Sequence, residues 1–147
     1  MQEHGLKISE LVTLFNLEVL NRGSDYDTAL LTITDVNRPG LQFHSFYDYF
    51  DPRRLQVLGK AEITYLKGLT TEQRRKCFDD LFLYDIPALV ISRGLDCFPE
   101  CLESARVHER TLLRTEENTV EFTSHTIEYL NLSLIHISEP TRLRRIS

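Results

Sequence analysis

The sequence predicts a layered α/β domain with a mostly parallel or mixed sheet flanked by helices. The first observation is that short β-like runs alternate with stretches of helical periodicity along the chain. The second is Ala88–Ile91, a continuous apolar run typical of a strand buried on both faces. The third is size, because 147 residues with 41% hydrophobic content suffice for one domain with a buried core.

The first third of the chain is predicted to begin with one helix and two strands. Apolar residues repeat at helical spacing from Ile8 to Phe15 and predict a short amphipathic helix. Leu17–Leu20 and Ala29–Thr34 are short β-like runs. The polar segment between them contains Gly23 and is a turn signal.

Residues 35–66 are predicted to contain a turn, a helix and a strand. Pro39 and Gly40 suit the two central positions of a type II turn. Asp51–Gly59 is a plausible short helix, because Asp51 can serve as its N-cap and a proline occupies its first position. Glu62–Leu66 is predicted to be a strand.

The rest of the chain is predicted to be mainly helical. Thr70 and Gln73 have the spacing of a capping box and predict a helix at Thr71–Leu83, with Cys77 on its apolar face. Three more elements are predicted after the strand at Ala88–Ile91. The first is a helix at Pro99–Glu109, with Leu102, Ala105 and Val107 available for packing, and the second is a strand at Leu112-Leu113. The third is a helix from Asn118 to about Asn131, with apolar residues at Val120, Ile127 and Leu130.

Charge and composition predict a soluble cytoplasmic protein. A net charge of −5 disfavours nucleic acid and anionic membrane as partners. No apolar run approaches the roughly 20 residues of a membrane span, and the first residues do not resemble a secretory signal. Three cysteines suit reduced thiols in the cytosol. Cys97 and Cys101 alone would supply only half of a structural zinc site.

Four motifs follow one another in residues 38–66. They read Arg38-Pro39-Gly40-Leu41, Phe46-Tyr47-Asp48-Tyr49-Phe50, Asp51-Pro52-Arg53-Arg54-Leu55-Gln56-Val57-Leu58-Gly59 and Glu62-Ile63-Thr64-Tyr65-Leu66. In this order they resemble the N-terminal domain of the HPr(Ser) kinase/phosphorylase family, and the resemblance covers about residues 6–131. It implies an α/β fold similar to the N-terminal domain of the Mur ligases.

The resemblance also implies what a full-length parent does. Such relatives phosphorylate a serine of the phosphocarrier HPr with ATP or pyrophosphate and magnesium, and reverse the reaction by phosphorolysis, in bacterial carbon catabolite regulation. They engage HPr through a C-terminal P-loop kinase domain and assemble as homo-hexamers. This chain has no G-x-x-x-x-G-K-[ST] loop, since Gly59-Lys60 is followed by Ala61 and lacks the upstream glycine. No cofactor is therefore expected in this chain.

Residues 132–147 are predicted to be a non-native tail. Leu132–Arg142 reads LSLIHISEPTR and resembles a translated sequencing adapter, although a genuine amphipathic extension is the alternative. On this reading the domain is 1–131, the catalytic domain is absent because the reading frame was cut, and His136 has no role. The tail holds three arginines and one glutamate, so residues 1–131 carry 14 basic and 21 acidic residues, a net charge of −7.

No catalytic or metal-binding residue is predicted. His44 and Asp48 could form an acid–base couple, but an exposed histidine beside a turn-capping aspartate is the favoured interpretation. His108 and His125 are expected on solvated helix faces, and Cys77 is expected in the core.

The predicted interaction surface consists of motif residues. Arg38 could bind an anion through its guanidinium fork, but pairing with Asp35, Asp48 or Asp51 is favoured. Most of the aromatic residues at positions 43–50 are expected to pack in the core or against another domain. The candidate set is Arg38, Pro39, Gly40, Tyr47, Asp48, Tyr49, Arg53, Arg54 and Gly59.

Three functions are compatible with the sequence. The leading one is an N-terminal domain fragment of the kinase/phosphorylase, inactive alone. The second is a stand-alone sensory or interaction domain that uses the Arg38–Phe50 surface. The third, a Mur-ligase-like substrate-binding domain, rests on fold analogy alone.

Overall fold

The computed structural model describes residues 5–146, with side chains described for residues 5–133. Seven strands and six helices make up this part of the chain. In chain order they are β1 (Leu6–Lys7), α1 (Ile8–Phe15), β2 (Glu18–Asn21), β3 (Leu30–Leu31), β4 (Val36–Asn37), α2 (Gly40–Phe43), β5 (Leu55–Leu58), α3 (Lys60–Lys67), α4 (Thr71–Phe82), β6 (Leu89–Ile91), α5 (Pro99–His108), β7 (Leu112–Arg114) and α6 (Thr119–Ile146).

The centre of the domain is a mixed five-stranded sheet in the order β2-β7-β6-β5-β4. Strands β4 to β7 are parallel, whereas β2 pairs antiparallel with β7 at one edge. A separate antiparallel pair joins β1 to β3. The layered α/β fold with a mostly parallel sheet is therefore confirmed.

Each face of the sheet has its own hydrophobic core. Val57, Val90 and Leu113 are in register and face the layer that contains α1 and α6. Leu89 and Leu112, one position away, face the layer built from α2, α3, α4 and α5. Because successive side chains of a strand point to opposite faces, the central strands are apolar on both sides.

The elements with strong local signals are confirmed. Helix α4 begins with a reciprocal capping box in which Thr70 Oγ1 accepts the Gln73 N–H at 3.1 Å and Gln73 Oε1 accepts the Thr70 N–H at 3.0 Å. Asn118 Oδ1 likewise accepts the Glu121 N–H at the start of α6, although α6 continues to Ile146, beyond the predicted end. Cys77 is buried as predicted.

The main differences between the predicted and the observed elements lie in residues 51–66. The helix predicted within Asp51–Gly59 is instead strand β5, fully buried and paired with β4 and β6 on its two sides. The strand predicted at Glu62–Leu66 is instead helix α3, which begins after Gly59. Spacing alone misleads here, because an apolar strand of four residues also satisfies a helical pattern.

Three smaller predictions are also wrong. Pro39 has φ −79° and ψ 31° and precedes α2, so Pro39-Gly40 does not form a type II turn. Val107, predicted to be available for packing, is 58% exposed, and Val120, one of the apolar residues assigned to the last helix, is 74% exposed. The side chain that anchors α6 near its start is Phe122, which is fully buried.

Candidate functional site

The carboxyl ends of the parallel strands meet at one edge of the sheet. Arg38 follows β4, Gly59 follows β5, Ser92 follows β6 and Thr115 follows β7. In open α/β sheets this edge is the usual position of a binding site. Its side chains are polar here, so their partners decide whether the edge is free to bind a ligand.

Arg38 is occupied by a carboxylate of the same domain. Its Nε and Nη2 lie 2.9 and 2.8 Å from Glu62 Oε1. Glu62 also accepts the Gly59 N–H at 2.6 Å and thereby caps the first turn of α3. A Cβ on Gly59 would lie 2.5 Å from the Arg38 guanidinium and 2.6 Å from Thr119 Oγ1, so glycine is required by this close approach.

Arg38 is paired with a carboxylate of its own domain, as the sequence favoured, but its partner differs from the predicted ones. The sequence favoured Asp35, Asp48 or Asp51, whereas the structure places Glu62 against the guanidinium. The pair ties the end of β4 to the start of α3.

Several other donors at this edge are also used within the chain, whereas the Arg93 side chain is exposed. Ser92 Oγ donates to Leu58 O at 2.9 Å and lies 2.6 Å from Thr119 Oγ1. The N–H groups of Arg93 and Gly94 donate to backbone carbonyls of the segment between β7 and α6. Gly94 has φ +61°, a conformation that glycine adopts without strain. Several polar groups of this edge are therefore engaged within the domain itself.

The segment Gly40–Phe50, which includes α2, divides its aromatic residues between the core and the surface. Phe43 is buried and packs edge-on against Phe78, with 5.6 Å between ring centroids. Tyr47 stacks on Tyr84 at 4.8 Å, and Phe50 meets the same ring at 5.1 Å. Burial raises the pKa of Tyr47. These rings fix the segment on the end of α4.

Three apolar residues of the same segment face solvent, and we refer to them as the loop patch: Leu41, Phe46 and Tyr49. Their exposed fractions are 63%, 45% and 101%. Tyr49 also has φ +64°, and this left-handed conformation costs a non-glycine residue about 1–2 kcal/mol. A fully exposed tyrosine held in a strained conformation is typical of a contact surface.

The other charged motif residues lie at the opposite end of the sheet, because they precede β5. Arg53 forms two hydrogen bonds with Asp51, at 3.0 and 2.9 Å, and its guanidinium lowers the pKa of that carboxyl. Arg54 lies 3.6 Å from Asp35. The nine candidate residues therefore do not form one site. Those that follow β4 and β5 are Arg38, Pro39, Gly40 and Gly59. The segment after α2 contains Tyr47, Asp48 and Tyr49, and the residues that precede β5 are Arg53 and Arg54.

Within the described residues, His44 is not paired with Asp48, the acid–base couple considered from the sequence. His44 Nδ1 lies 2.9 Å from Gly40 O, and its ring packs 4.3 Å from that of Tyr65. His125 Nδ1 lies 2.8 Å from a Glu117 carboxylate oxygen on the surface. His108, expected on a solvated face, is instead only 22% exposed and lies 3.3 Å from Asp79, between α4 and α5.

Asp79, on α4, links this helix to α5. Its Oδ1 accepts hydrogen bonds from Arg75 at 2.9 Å and from Ser104 at 2.5 Å. Burial acts to raise the pKa of Asp79, but the hydrogen bonds from Ser104 and Arg75 outweigh it and lower the pKa. We interpret this cluster as a structural contact between α4 and α5, because Ser104 hydrogen-bonds to Asp79 and not to His108.

The described residues form several surface clefts. A cleft of about 190 Å³ between α2, α3 and α4 is lined by Gln42, Tyr65 and Lys76, among others. A second cleft, of about 460 Å³ and lined by Thr71, Arg75 and Glu100 among others, exceeds the roughly 300 Å³ at which pockets for small molecules begin. Within the described residues, no group of three His, Cys, Asp or Glu side chains is placed to hold a metal ion. The same part of the chain contains no helix suited to crossing a bilayer.

Sequence reasoning missed several residues that organise these regions. Glu62 follows Gly59 by three positions, which is the spacing of a capping interaction, so this signal was available. Tyr84, Ser92 and Thr119 carry no such local signal, because their partners are distant in sequence.

Comparisons with known proteins agree on the family. The family model described as "HPr Serine kinase N terminus" matches residues 6–130. The chain is 39% identical over 127 residues to the HPr kinase/phosphorylase of Clostridium perfringens, covering 86% of this chain and 41% of that protein. Proteins of the same name from Alkaliphilus metalliredigens and Clostridium tetani are each 40% identical, over 88% of this chain and 41% and 42% of their lengths.

The chain thus spans about two-fifths of the length of these curated relatives. A solved structure has the same fold: the CBS and DRTGG domains of the regulatory region of the Clostridium perfringens pyrophosphatase, complexed with the activator diadenosine tetraphosphate. The TM-score is 0.60 at 14% sequence identity, and the match covers 92% of this chain and 54% of that one. At this identity the likeness concerns the fold alone.

Proposed function

Because the chain belongs to the family described as HPr Serine kinase N terminus, we propose that it acts as the non-catalytic N-terminal domain of a bifunctional HPr(Ser) kinase/phosphorylase. The observation that carries the proposal is the match over residues 6–130 to one part of much longer relatives. The whole enzyme would phosphorylate and dephosphorylate a serine of HPr with ATP or pyrophosphate and magnesium. It would contact HPr through its catalytic domain and assemble as a hexamer.

The geometry of the carboxyl edge supports a non-catalytic role for this domain. A phosphate cradle needs backbone N–H groups and cationic side chains that are free to face the ligand. Here Arg38 is paired with Glu62, and the N–H groups of Arg93 and Gly94 donate to carbonyls of the chain itself. A phosphate would have to displace these partners.

Calorimetric titration of the full chain with ATP and magnesium, and separately with pyrophosphate, tests this proposal. We expect no saturable binding up to about 1 mM, the upper end of ordinary substrate constants. The HPr kinase/phosphorylase of Clostridium perfringens serves as the positive control. Saturable binding to this chain at micromolar concentration would contradict the proposed role.

The loop patch favours a second candidate, a domain that functions by contacting another protein surface. Its three members are exposed apolar residues within nine positions of one another, and Tyr49 is fully exposed. Tyrosine and other aromatic residues often carry much of the binding energy of an interface. In the kinase/phosphorylase this surface would contact the rest of the enzyme. In a stand-alone domain it would contact a separate protein.

Binding of this chain to the separately produced remainder of the Clostridium perfringens relative separates the two candidates. The enzyme-domain role predicts association, weakened about tenfold or more by Tyr49→Ser. Val107→Ser is the matched control, because Val107 is an exposed apolar residue on α5. Absence of association, or equal weakening by both variants, would favour the stand-alone domain.

A further inference from the structure

A cleft of about 310 Å³ lies at the amino edge of the sheet, where the chain enters β5 and β6, and we refer to it as the amino-edge cleft. Arg53 precedes β5, Pro87 precedes β6, and both line the cleft. Asp25, from the segment between β2 and β3, lines it as well. The volume falls in the range of small-molecule pockets, and the proposed function does not use this cleft.

Backbone hydrogen bonds fix the turn that carries Asp25. The carbonyl of Asp25 accepts the N–H groups of Thr28 and Ala29 at 3.0 and 2.7 Å. The Ser24 N–H donates to Glu109 O at 3.1 Å and thereby ties the turn to the segment that leads into β7. The Asp25 carboxyl is therefore held in a defined position at the cleft.

The negative charge of Asp25 is poorly compensated within the domain. Its Oδ1 is buried and has no hydrogen-bond partner in the described part of the chain. Burial raises the pKa of Asp25 and the charge of Asp85 adds to this effect, whereas its own backbone N–H and Arg110 act to lower it. A ligand that brings a positively charged donor would therefore stabilise the ionised carboxyl.

The two arginines at this edge have carboxylate partners other than Asp25. Arg110 Nη1 donates to Asp85 at 3.0 Å. Arg53 donates to Asp51 through Nε and Nη2, at 3.0 and 2.9 Å. Because a guanidinium carries five N–H donors and the Arg53 side chain is 68% exposed, Arg53 can bind a second acceptor without releasing the first.

The lining of the amino-edge cleft favours a small ligand with charges of both signs. Asp25 and Asp85 are complementary to an ammonium group, and the Arg53 guanidinium is complementary to a carboxylate. Ala29 and Leu30 add an apolar part of the wall. A divalent metal ion fits less well, because Ca²⁺ and Mg²⁺ take about six or more ligands. Among the described residues, no three acidic, histidine or cysteine side chains are placed to hold a metal.

We propose that the amino-edge cleft binds a small zwitterion of the α-amino acid class, whose ammonium group contacts Asp25 and Asp85 and whose carboxylate contacts Arg53. Its side chain is apolar and lies against Ala29 and Leu30. This inference goes beyond the proposed function and does not depend on it.

Calorimetric titration of the full chain with L-valine, L-leucine, L-isoleucine and L-methionine tests the proposal. We expect at least one of them to bind with a Kd of about 1 mM or below, an affinity within reach of a ligand of this size. The tightest binder is then compared with its decarboxylated amine and its deaminated acid, each of which keeps the side chain and one charge. Each analogue should bind at least about tenfold more weakly, because it loses one charged hydrogen-bonding group.

Two variants locate the site. Asp25→Asn and Arg53→Gln should each raise the Kd about tenfold or more, because each removes a charge that faces the ligand. Asp96→Asn and Arg106→Gln are the matched controls, because both side chains are exposed and neither lines the cleft. Both controls should leave the Kd unchanged. Circular dichroism establishes that each variant is folded, and the comparison of analogues needs no variant.

Three results would overturn the proposal. The first is no saturable binding of any of the four amino acids to the wild-type chain up to about 10 mM. The second is an amine or an acid analogue that binds as tightly as the amino acid itself. The third is a loss of affinity in Asp96→Asn or Arg106→Gln as large as that in the matched cleft variant.

Discussion

Glu62 is the side chain that joins the most parts of the carboxyl edge. It is 9% exposed, accepts two hydrogen-bonding contacts from Arg38 and accepts the N–H of Gly59. The carboxylate is therefore both the cap of α3 and the counter-ion of the arginine after β4. Removing it leaves a helix end uncapped and a guanidinium without its partner.

Glu62→Ala should lower the free energy of unfolding by about 2 kcal/mol, the combined effect of a lost cap and a lost charged hydrogen bond. Urea denaturation followed by circular dichroism measures the change. Glu128→Ala is the control, because Glu128 is exposed on α6 and should change stability little. Equal effects of the two substitutions would show that the Glu62 contacts do not stabilise the domain.

Asp79 gives the domain a pH-dependent component of stability. Its folded pKa is lower than its ordinary value, so its contribution is present above about pH 4 and is lost as pH falls through the folded pKa. The difference in unfolding free energy between wild type and Asp79→Asn should therefore shrink as the pH is lowered from 5 toward about 2.5. Urea titrations at several pH values measure it, with exposed Asp96→Asn as control. A difference in unfolding free energy that grows on acidification would contradict the lowered pKa of Asp79.

At the scale of elements, two glycines should respond oppositely to alanine. A Cβ on Gly23 would lie 2.6 Å from both Glu109 O and Thr111 N, where the segment after β2 packs against the chain leading into β7. Gly40, at the start of α2, has nothing within 4 Å of the position of a Cβ.

Gly23→Ala should destabilise the domain by about 2 kcal/mol, because backbone atoms must move. Gly40→Ala should stabilise it by about 0.5 kcal/mol, since alanine restricts the unfolded chain and favours the helix. Thermal unfolding of both variants beside wild type measures the two shifts. A loss of stability in Gly40→Ala as large as that in Gly23→Ala would contradict the local geometry.

The elements differ in how far the sequence could predict them. Helix α4 was predictable because Thr70 and Gln73 carry its cap within four residues. Strand β5 was not, because its identity depends on pairing with β4 and β6, and β6 begins more than 30 residues later. A short apolar run satisfies both periods, and tertiary pairing decides between them.

The candidate site was predictable as a family motif but not as a surface. The residues between Arg38 and Leu66 indicated the family, which the match over residues 6–130 confirms. Their distribution over both ends of the sheet could not be inferred, because it follows from the direction of β4 and β5. Neither the full exposure of Tyr49 nor its left-handed backbone could be inferred from the sequence.

At the scale of the whole molecule, the domain is a sheet covered on both faces by hydrophobic cores. Several donors of the carboxyl edge are used within the domain, and Tyr49 of the loop patch is fully exposed. These features suit the proposed role of a domain that contacts another protein surface. We therefore propose that this domain has a non-catalytic role within a kinase/phosphorylase.

The most direct measurement is phosphoserine formation on HPr after incubation of the purified full chain with HPr, ATP and magnesium. The Clostridium perfringens HPr kinase/phosphorylase is assayed in parallel as the positive control. We expect this chain to produce no phosphoserine above the level seen without added protein. ATP-dependent phosphorylation of HPr by this chain alone would contradict it.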